Sequence, residues 1–161
     1  MEFDIDVSGE DIFTKGYTVC IANRDGIIKG YKIPSSIVEV INSRFGQGLY
    51  KYNKSQKGKS TLKIRIYTII IYYLLRSISN INSISLNICR DFNGRERDIE
   101  NNLYFLLEKV LNLKIERVVF VKLDSDSNAH QYAYLMRRDT KNQMKTYVNI
   151  SLNDIERFLK K

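Results

Sequence analysis

Residues 61–78 are the most apolar part of this 161-residue chain and limit what it can fold into. Their apolar side chains recur at helical spacing, interrupted by Lys63 and Arg76. The run IYTIIIYYLL at 66–75 is too short to cross a bilayer, which takes about 20 residues, so we expect no membrane span. Isoleucine is a weak helix former because it is β-branched. Burial against a sheet must therefore stabilise this helix, unless it buries part of its surface in a homodimer.

The first third of the chain carries three strand patterns. Residues 2–8 alternate apolar and polar side chains, and two further apolar runs follow, GYTVCIAN at 16–23 and GIIKGYKI at 26–33. Asn23-Arg24-Asp25-Gly26 joins those two runs, and its Asn and Asp-Gly tolerate the positive φ angles of a tight hairpin. The spacing predicts an antiparallel meander of three strands.

Helices and strands alternate in the remainder of the chain. The predicted elements are a short helix at 35–45, the long helix at 61–78, a strand at 83–91 that ends at Asp91, a helix at roughly 95–112, a buried strand at 116–123, a helix after the segment DSDSN, an extended piece KTYVNI and a helix capped by Ser151.

The charge of the chain favours a polyanionic partner. Lys and Arg number 26 against 18 Asp and Glu, the formal net charge is +8 and the pI is about 9.4. A basic surface gains free energy near phosphates through its field and through counterion release. Nucleic acid is the expected partner, and the alternative is a protein that is basic without such a partner.

The two cysteines indicate a reducing compartment. Cys20 and Cys89 both lie in apolar strand patterns, and their spacing matches neither a zinc site nor a disulfide framework. We expect two reduced core residues in a cytoplasmic protein, with no signal segment at the N-terminus.

The order of the predicted elements resembles that of the ribonuclease H-like superfamily, which includes ribonuclease H, Holliday-junction resolvases, endonuclease V and transposase cores. The resemblance covers most of the chain and implies one α/β domain over residues 1–161. That domain would hold a mixed five-stranded sheet with helices on both faces, a basic loop at 46–60 and a C-terminal extension at 145–161. Asp6-Val7-Ser8-Gly9 on the first strand resembles the family's aspartate followed by a small residue, especially the D-V-S of endonuclease V.

The same resemblance implies where further site residues belong. A second family carboxylate ends the fourth strand, where this chain has Asp91. A third follows the fifth strand or begins the last core helix, where Asp124 and Asp126 precede His130. Strands one and four are parallel neighbours in this fold, which would bring Asp6 and Asp91 together. The implied ligands of Mg²⁺ or Mn²⁺ are therefore Asp6, Asp91 and either Asp126 or Asp124.

Clustered carboxylates suit phosphodiester hydrolysis. Divalent ions stabilise charge on the attacking and leaving oxygens and activate water, and hard ions prefer carboxylate ligands. His130 is the only histidine and could orient a carboxylate, protonate a leaving oxygen or coordinate metal. One departure is that the glutamate of ribonucleases H on the first core helix corresponds to Lys63 and Arg65, unless Glu39 supplies it.

Each of these residues also has a purely structural interpretation. Asp6 can face solvent from an edge strand, together with Asp4 on the same face. Asp91 can start a turn, Asp126 can cap a helix, and His130 can be a packed helix residue with a satisfied hydrogen bond.

Basic and aromatic residues are predicted to bind nucleic acid. The loop at 46–60 mixes cations for phosphate with aromatic rings for base stacking, and two arginines of the last core helix add cations. The predicted contacts are Lys51, Lys54, Lys57, Lys59, Tyr50, Tyr52, Arg137 and Arg138. The stretch NKSQKGKS at 53–60 lacks the first glycine of a phosphate-binding loop and is not interpreted as one.

Three functions are consistent with the sequence. The first is metal-dependent hydrolysis of nucleic-acid phosphodiesters. The others are a noncatalytic nucleic-acid-binding protein on the same fold and a homodimeric protein-interaction module.

Overall fold

A mixed five-stranded sheet lies at the centre of the structure, a computed structural model that describes residues 1–160. Its strands are β1 (Glu2–Ser8), β2 (Thr18–Ala22), β3 (Ile28–Lys32), β4 (Ser83–Cys89) and β5 (Lys114–Val121). Their order across the sheet is β3-β2-β1-β4-β5. The first three strands form the predicted antiparallel meander, and β4 runs parallel to both β1 and β5. The last residue of the predicted C-terminal extension, Lys161, lies outside the described residues.

Helices cover both faces of the sheet. They are α1 (Ser35–Gly46), α2 (Gln56–Arg76), α3 (Glu96–Leu103), which continues as a π-helix over Tyr104–Val110, α4 (Asn128–Arg138) and α5 (Leu152–Glu156). The prediction that α2 begins at residue 61 is wrong, because Ser55 caps the helix by accepting a hydrogen bond from Gly58 N at 3.0 Å. The predicted basic loop at 46–60 is consequently restricted to residues 47–55.

One face of the sheet packs on α2 in the main hydrophobic core. Side chains alternate along a strand, so Phe3 and Ile5 enter this core while Asp4 and Asp6 point to the other face. The isoleucines of α2 are already buried by the described chain itself: Ile64, Ile66, Ile69, Ile70 and Ile71. This burial stabilises a β-branched helix, and it leaves no apolar face of α2 for the predicted homodimer.

The opposite face packs on the single helix α4. Cys20 of β2 forms a small cluster with Ala133 and Met136. A Cβ atom on Gly30 of β3 would lie 2.4 Å from the Met136 sulfur, so glycine permits the close approach of helix and sheet. This contact holds α4 beside the polar side chains of β1.

One edge of the sheet is more exposed than predicted, and the other edge pairs with a further extended segment. The prediction that residues 116–123 form a buried strand is wrong, because β5 pairs only with β4 and most of its side chains are half-buried or exposed. At the other edge the extended C-terminal segment pairs with β3, through Gly30 N to Thr146 O at 2.8 Å and Val148 N to Gly30 O at 2.9 Å.

The length and hydropathy that a bilayer-spanning segment requires are not combined in any helix of residues 1–160.

Candidate active site

Two carboxylates and a thiol converge at the carboxyl ends of two neighbouring parallel strands. Ile5 of β1 pairs with Ile88 of β4, so the next residues, Asp6 and Cys89, lie side by side. Asp91 follows β4 by two residues. One ligand atom from each of Asp6, Cys89 and Asp91 lies within 4.8 Å of the others. The predicted meeting of Asp6 and Asp91 is confirmed, and the parallel pairing of β1 and β4 produces it.

Asp6 is held by its neighbours on both carboxylate oxygens. It is only 3% exposed. Its Oδ1 accepts a hydrogen bond from Val7 N at 2.8 Å, and its Oδ2 lies 2.8 Å from His130 Nδ1 on α4. The interpretation of Asp6 as a solvent-facing residue of an edge strand is therefore wrong, since β1 is central and the side chain is buried.

Asp91 is a weaker acid than an ordinary aspartate because of its position. Asp91 is an exposed residue, yet its pKa is raised to about 7, first by desolvation of the carboxyl group and second by the negative charge of Asp6. No lysine or arginine among residues 1–160 forms an ion pair with Asp6 or Asp91. The two carboxylates thus repel each other and have no lysine or arginine partner.

Cys89 is the third group at ligand distance. Burial, and then the charges of Asp6 and Asp91, raise the pKa of its thiol to about 11. At neutral pH it is a protonated thiol, which is a poor ligand for a hard cation. It therefore supplies no third negative charge.

Two buried tyrosines lie close enough to the carboxylates to be affected by their charge. Burial and the nearby charges of Asp91 and Asp6 raise the pKa of both Tyr17 and Tyr67. The Tyr67 hydroxyl is fully buried and has no hydrogen-bond partner among the described residues. A buried hydroxyl without a partner, next to two carboxylates, fits a site that takes a hydrated ligand.

A cavity of about 460 Å³ opens beside Asp91. Lys59 and Lys63 of α2 line it together with Asp11, and Lys63 Nζ lies 2.8 Å from Asp11 Oδ1. The cavity therefore brings two cations near the carboxylate of Asp91. Its remaining lining residues are Val7, Gly9, Glu10, Ile12, Tyr17, Gln56, Ser60 and Phe92.

The structure does not bring the predicted third acid to this site. Asp124 and Asp126 are exposed and line a different cavity, of about 470 Å³, beside Asp4. The reason is the direction of α4, which begins next to Asp4 and reaches Asp6 only at His130. Neither Asp124 nor Asp126 is within ligand distance of Asp6 and Asp91.

Nearby acids have structural roles or lie elsewhere. Asp4 accepts hydrogen bonds from Asn87 Nδ2 at 3.0 Å and from Ser127 Oγ at 2.9 Å. The helix-capping position of α4 is Ser127, so Asp126 does not cap it. Glu39 lines a separate small cavity and does not replace the glutamate of ribonucleases H.

The predicted nucleic-acid contacts divide into accessible and inaccessible residues. Lys51, Lys54 and Lys57 are exposed, whereas Lys59 is half-buried in the cavity beside Asp91. Tyr52 is half-buried, with Lys51 Nζ 5.7 Å from its ring centre.

Tyr50 is not available for base stacking. It is 1% exposed, and its hydroxyl lies 2.7 Å from Glu156 Oε2. This contact to α5 packs the ring inside the protein, so the prediction that it meets a base is wrong.

Arg137 and Arg138 occupy the last turn of α4. They line a third cavity, together with Lys15 and Lys32, and not the cavity that contains Asp91.

Sequence reasoning missed Cys89, Tyr67 and Tyr17 as neighbours of the carboxylates. For Cys89 a signal was present, because it precedes Asp91 by two residues in the predicted strand at 83–91 and therefore lies on the same face of it. For Tyr67 and Tyr17 no local signal exists, since helical and strand spacing predicts only that they are buried.

No protein-family model, curated protein or solved structure matches this chain.

Proposed function

We propose that this protein is a ribonuclease H-like phosphodiesterase that hydrolyses nucleic acid with a divalent metal ion. The observation that carries the proposal is the pair Asp6 and Asp91, two carboxylates without a lysine or arginine partner among residues 1–160, at the carboxyl ends of adjacent central strands. The strand order β3-β2-β1-β4-β5, in which β2 alone runs opposite to the other four strands, supports the family assignment.

The donor atoms fit Mg²⁺ or Mn²⁺. Asp6 and Asp91 would hold the ion, because carboxylate oxygens are the ligands that hard cations prefer. The unpartnered Tyr67 hydroxyl next to them fits an ion that keeps part of its water shell. When bound, such an ion activates water and stabilises negative charge on the phosphate oxygens.

The protein side chains have distinct roles in this proposal. His130 positions the Asp6 carboxylate through Nδ1, and its half-exposed ring leaves Nε2 for a proton acceptor or donor. Lys59 and Lys63 line the cavity beside Asp91, where they would bind phosphate oxygens flanking the reacting one.

The test joins metal binding to cleavage. We expect Mn²⁺ titration of the wild-type protein to give a saturable site, and labelled DNA or RNA to be cleaved only with metal. Asp6→Asn and Asp91→Asn should each weaken metal binding by more than about 100-fold, beyond the loss typical of residues that only orient a ligand. Asp124→Asn and Asp126→Asn are the matched controls, because they remove exposed carboxylates from a separate cavity. Equal losses in all four variants would contradict the proposal.

A noncatalytic nucleic-acid-binding protein on the same fold is the second candidate. It is favoured by Cys89, a neutral thiol at the third ligand position, which leaves only two carboxylates. Salt-sensitive binding of nucleic acid without any Mn²⁺ binding would support this function against hydrolysis.

A further inference from the structure

The exposed face of α4 leads away from Asp6 as a stripe of aromatic and cationic side chains. His130, Tyr134 and Arg138 follow one another at four-residue intervals and therefore share a face of the helix. At 1.5 Å per residue the stripe is about 12 Å long, the rise of three to four stacked nucleotides. One end of it is the His130 contact to Asp6.

Tyr134 is an exposed aromatic ring held in position by its neighbour. It is 51% exposed. The Arg138 guanidinium lies 5.2 Å from the ring centre, and Arg138 Nη1 donates a hydrogen bond to the Tyr134 hydroxyl at 2.9 Å. A ring fixed in this way loses little conformational entropy when a base stacks on it.

The far end of the stripe is a cationic cavity of about 520 Å³. Lys15, Lys32, Arg137 and Arg138 line it, and no carboxylate residue does. None of the four forms an ion pair among residues 1–160.

Of the acids near this cavity, Glu39 lines an adjoining one and Asp139 is already engaged. The Asp139 carboxylate accepts hydrogen bonds from Met144 N at 3.0 Å and Tyr147 Oη at 2.9 Å, while Lys32 Nζ contacts the Asp139 carbonyl. Burial lowers the pKa of Lys32, and Asp139 opposes that shift. The four cations are thus left without carboxylate partners and attract a polyanion.

We propose that α4 binds single-stranded nucleic acid, with a base stacked on Tyr134 and a backbone phosphate in the Lys15–Lys32–Arg137–Arg138 cavity. This inference rests on the proposed function and names its substrate: a strand with unpaired bases that extends from the Asp6 site along α4. A stacking ring requires an unpaired base, which a continuous duplex does not offer.

The experiment measures binding of a fluorescein-labelled single-stranded oligonucleotide of about ten nucleotides by anisotropy, with EDTA present. EDTA removes metal and prevents cleavage. We expect Tyr134→Ala to weaken binding roughly fivefold to hundredfold, as the loss of one stacked base does, and Tyr134→Phe to retain it. Arg137→Gln and Lys15→Gln should each lower the slope of log Kd against log salt by about 0.7.

Matched controls lie on α3 and its π-helical continuation. Tyr104→Ala removes another exposed tyrosine, and Arg97→Gln and Lys109→Gln remove exposed cations far along the sequence from α4. Losses in these controls equal to those on α4 would overturn the proposal, because they would indicate attraction by net charge alone. Unchanged binding by Tyr134→Ala, or equal affinity for a duplex, would also overturn it.

Two further arms identify the bound species and separate this inference from hydrolysis. Inorganic phosphate that bound as tightly as the oligonucleotide at constant ionic strength would show a small-anion cavity and contradict a strand. A Tyr134-dependent complex in a protein that binds no Mn²⁺ would support the α4 site while the proposed hydrolysis fails. Metal-dependent cleavage together with unchanged oligonucleotide binding by Tyr134→Ala would support the proposed hydrolysis and contradict the α4 site.

Discussion

His130 Nδ1 lies 2.8 Å from Asp6 Oδ2, although 124 positions separate the two residues in the chain. The contact joins α4 to the central strand β1 at the point where the carboxylates converge. A histidine that bonds a ligand carboxylate through one nitrogen fixes the orientation of that carboxylate. This relationship links the candidate metal centre to the proposed nucleic-acid surface of α4.

We predict that His130→Ala weakens Mn²⁺ binding by about 10- to 100-fold, less than Asp6→Asn, because the ligand remains but loses its orientation. His130→Gln, whose amide can still donate to Asp6, should recover part of the loss. Calorimetric Mn²⁺ titration measures both. Unchanged affinity in His130→Ala would show that Asp6 needs no orientation by α4.

The pKa of Asp91 predicts the pH dependence of stability in the metal-free protein. Its folded pKa of about 7 exceeds the ordinary value of 3.8, so between these values the folded state binds more protons than the unfolded state. Stability should therefore fall as pH rises through this range. Urea unfolding in EDTA should show the decrease, and Asp91→Asn should reduce it. A decrease of the same size in Asp91→Asn would mean that other groups cause the pH dependence.

Glu156 should give stability the opposite pH dependence, because its pKa is lowered. Burial alone would raise its pKa, but hydrogen bonds from Arg44 and Tyr50 outweigh burial and lower it. Its contribution is present above the ordinary carboxyl pKa and is lost as pH falls through the lowered one. We expect Glu156→Gln to decrease the free energy of unfolding at neutral pH by about 2 kcal/mol.

Tyr50→Phe is the matched partner of that variant, since it removes one hydroxyl from the same contact. It should lose about 1 kcal/mol, measured by urea unfolding. No loss in either variant would mean that the buried contact does not stabilise the fold.

Position 9, next to the candidate site, should be sensitive to substitution of its glycine. Its φ is +128°, and a Cβ atom there would lie 2.9 Å from Tyr17 Cδ2. Gly9→Ala should therefore destabilise the protein by about 1–3 kcal/mol. Gly46→Ala is the control, because Gly46 ends α1 with open space around it and no positive φ, and its stability should be unchanged or slightly raised. Thermal unfolding of the two variants distinguishes these outcomes.

The sequence by itself determined the kinds of element and their order. Alternation along residues 2–8 and helical spacing along 61–78 depend on nearby residues, and so does the capping of α5 by Ser151, which the structure confirms. The start of α2 was predicted at residue 61, where its apolar pattern begins. The helix starts at Gln56 because Ser55 caps it, a local contact that the apolar pattern does not show.

Only the tertiary structure decided which side chains meet. The prediction for Asp6 and Asp91 held because parallel pairing of β1 and β4 places the ends of both strands together. Asp124 and Asp126 lie apart from them because the direction of α4, which depends on its packing against β1 and β2, brings His130 to Asp6 instead. Distances of a few ångströms between remote residues depend on which strands pair and on the direction in which a helix packs, and local spacing, which predicts only the type of element and its buried face, determines neither.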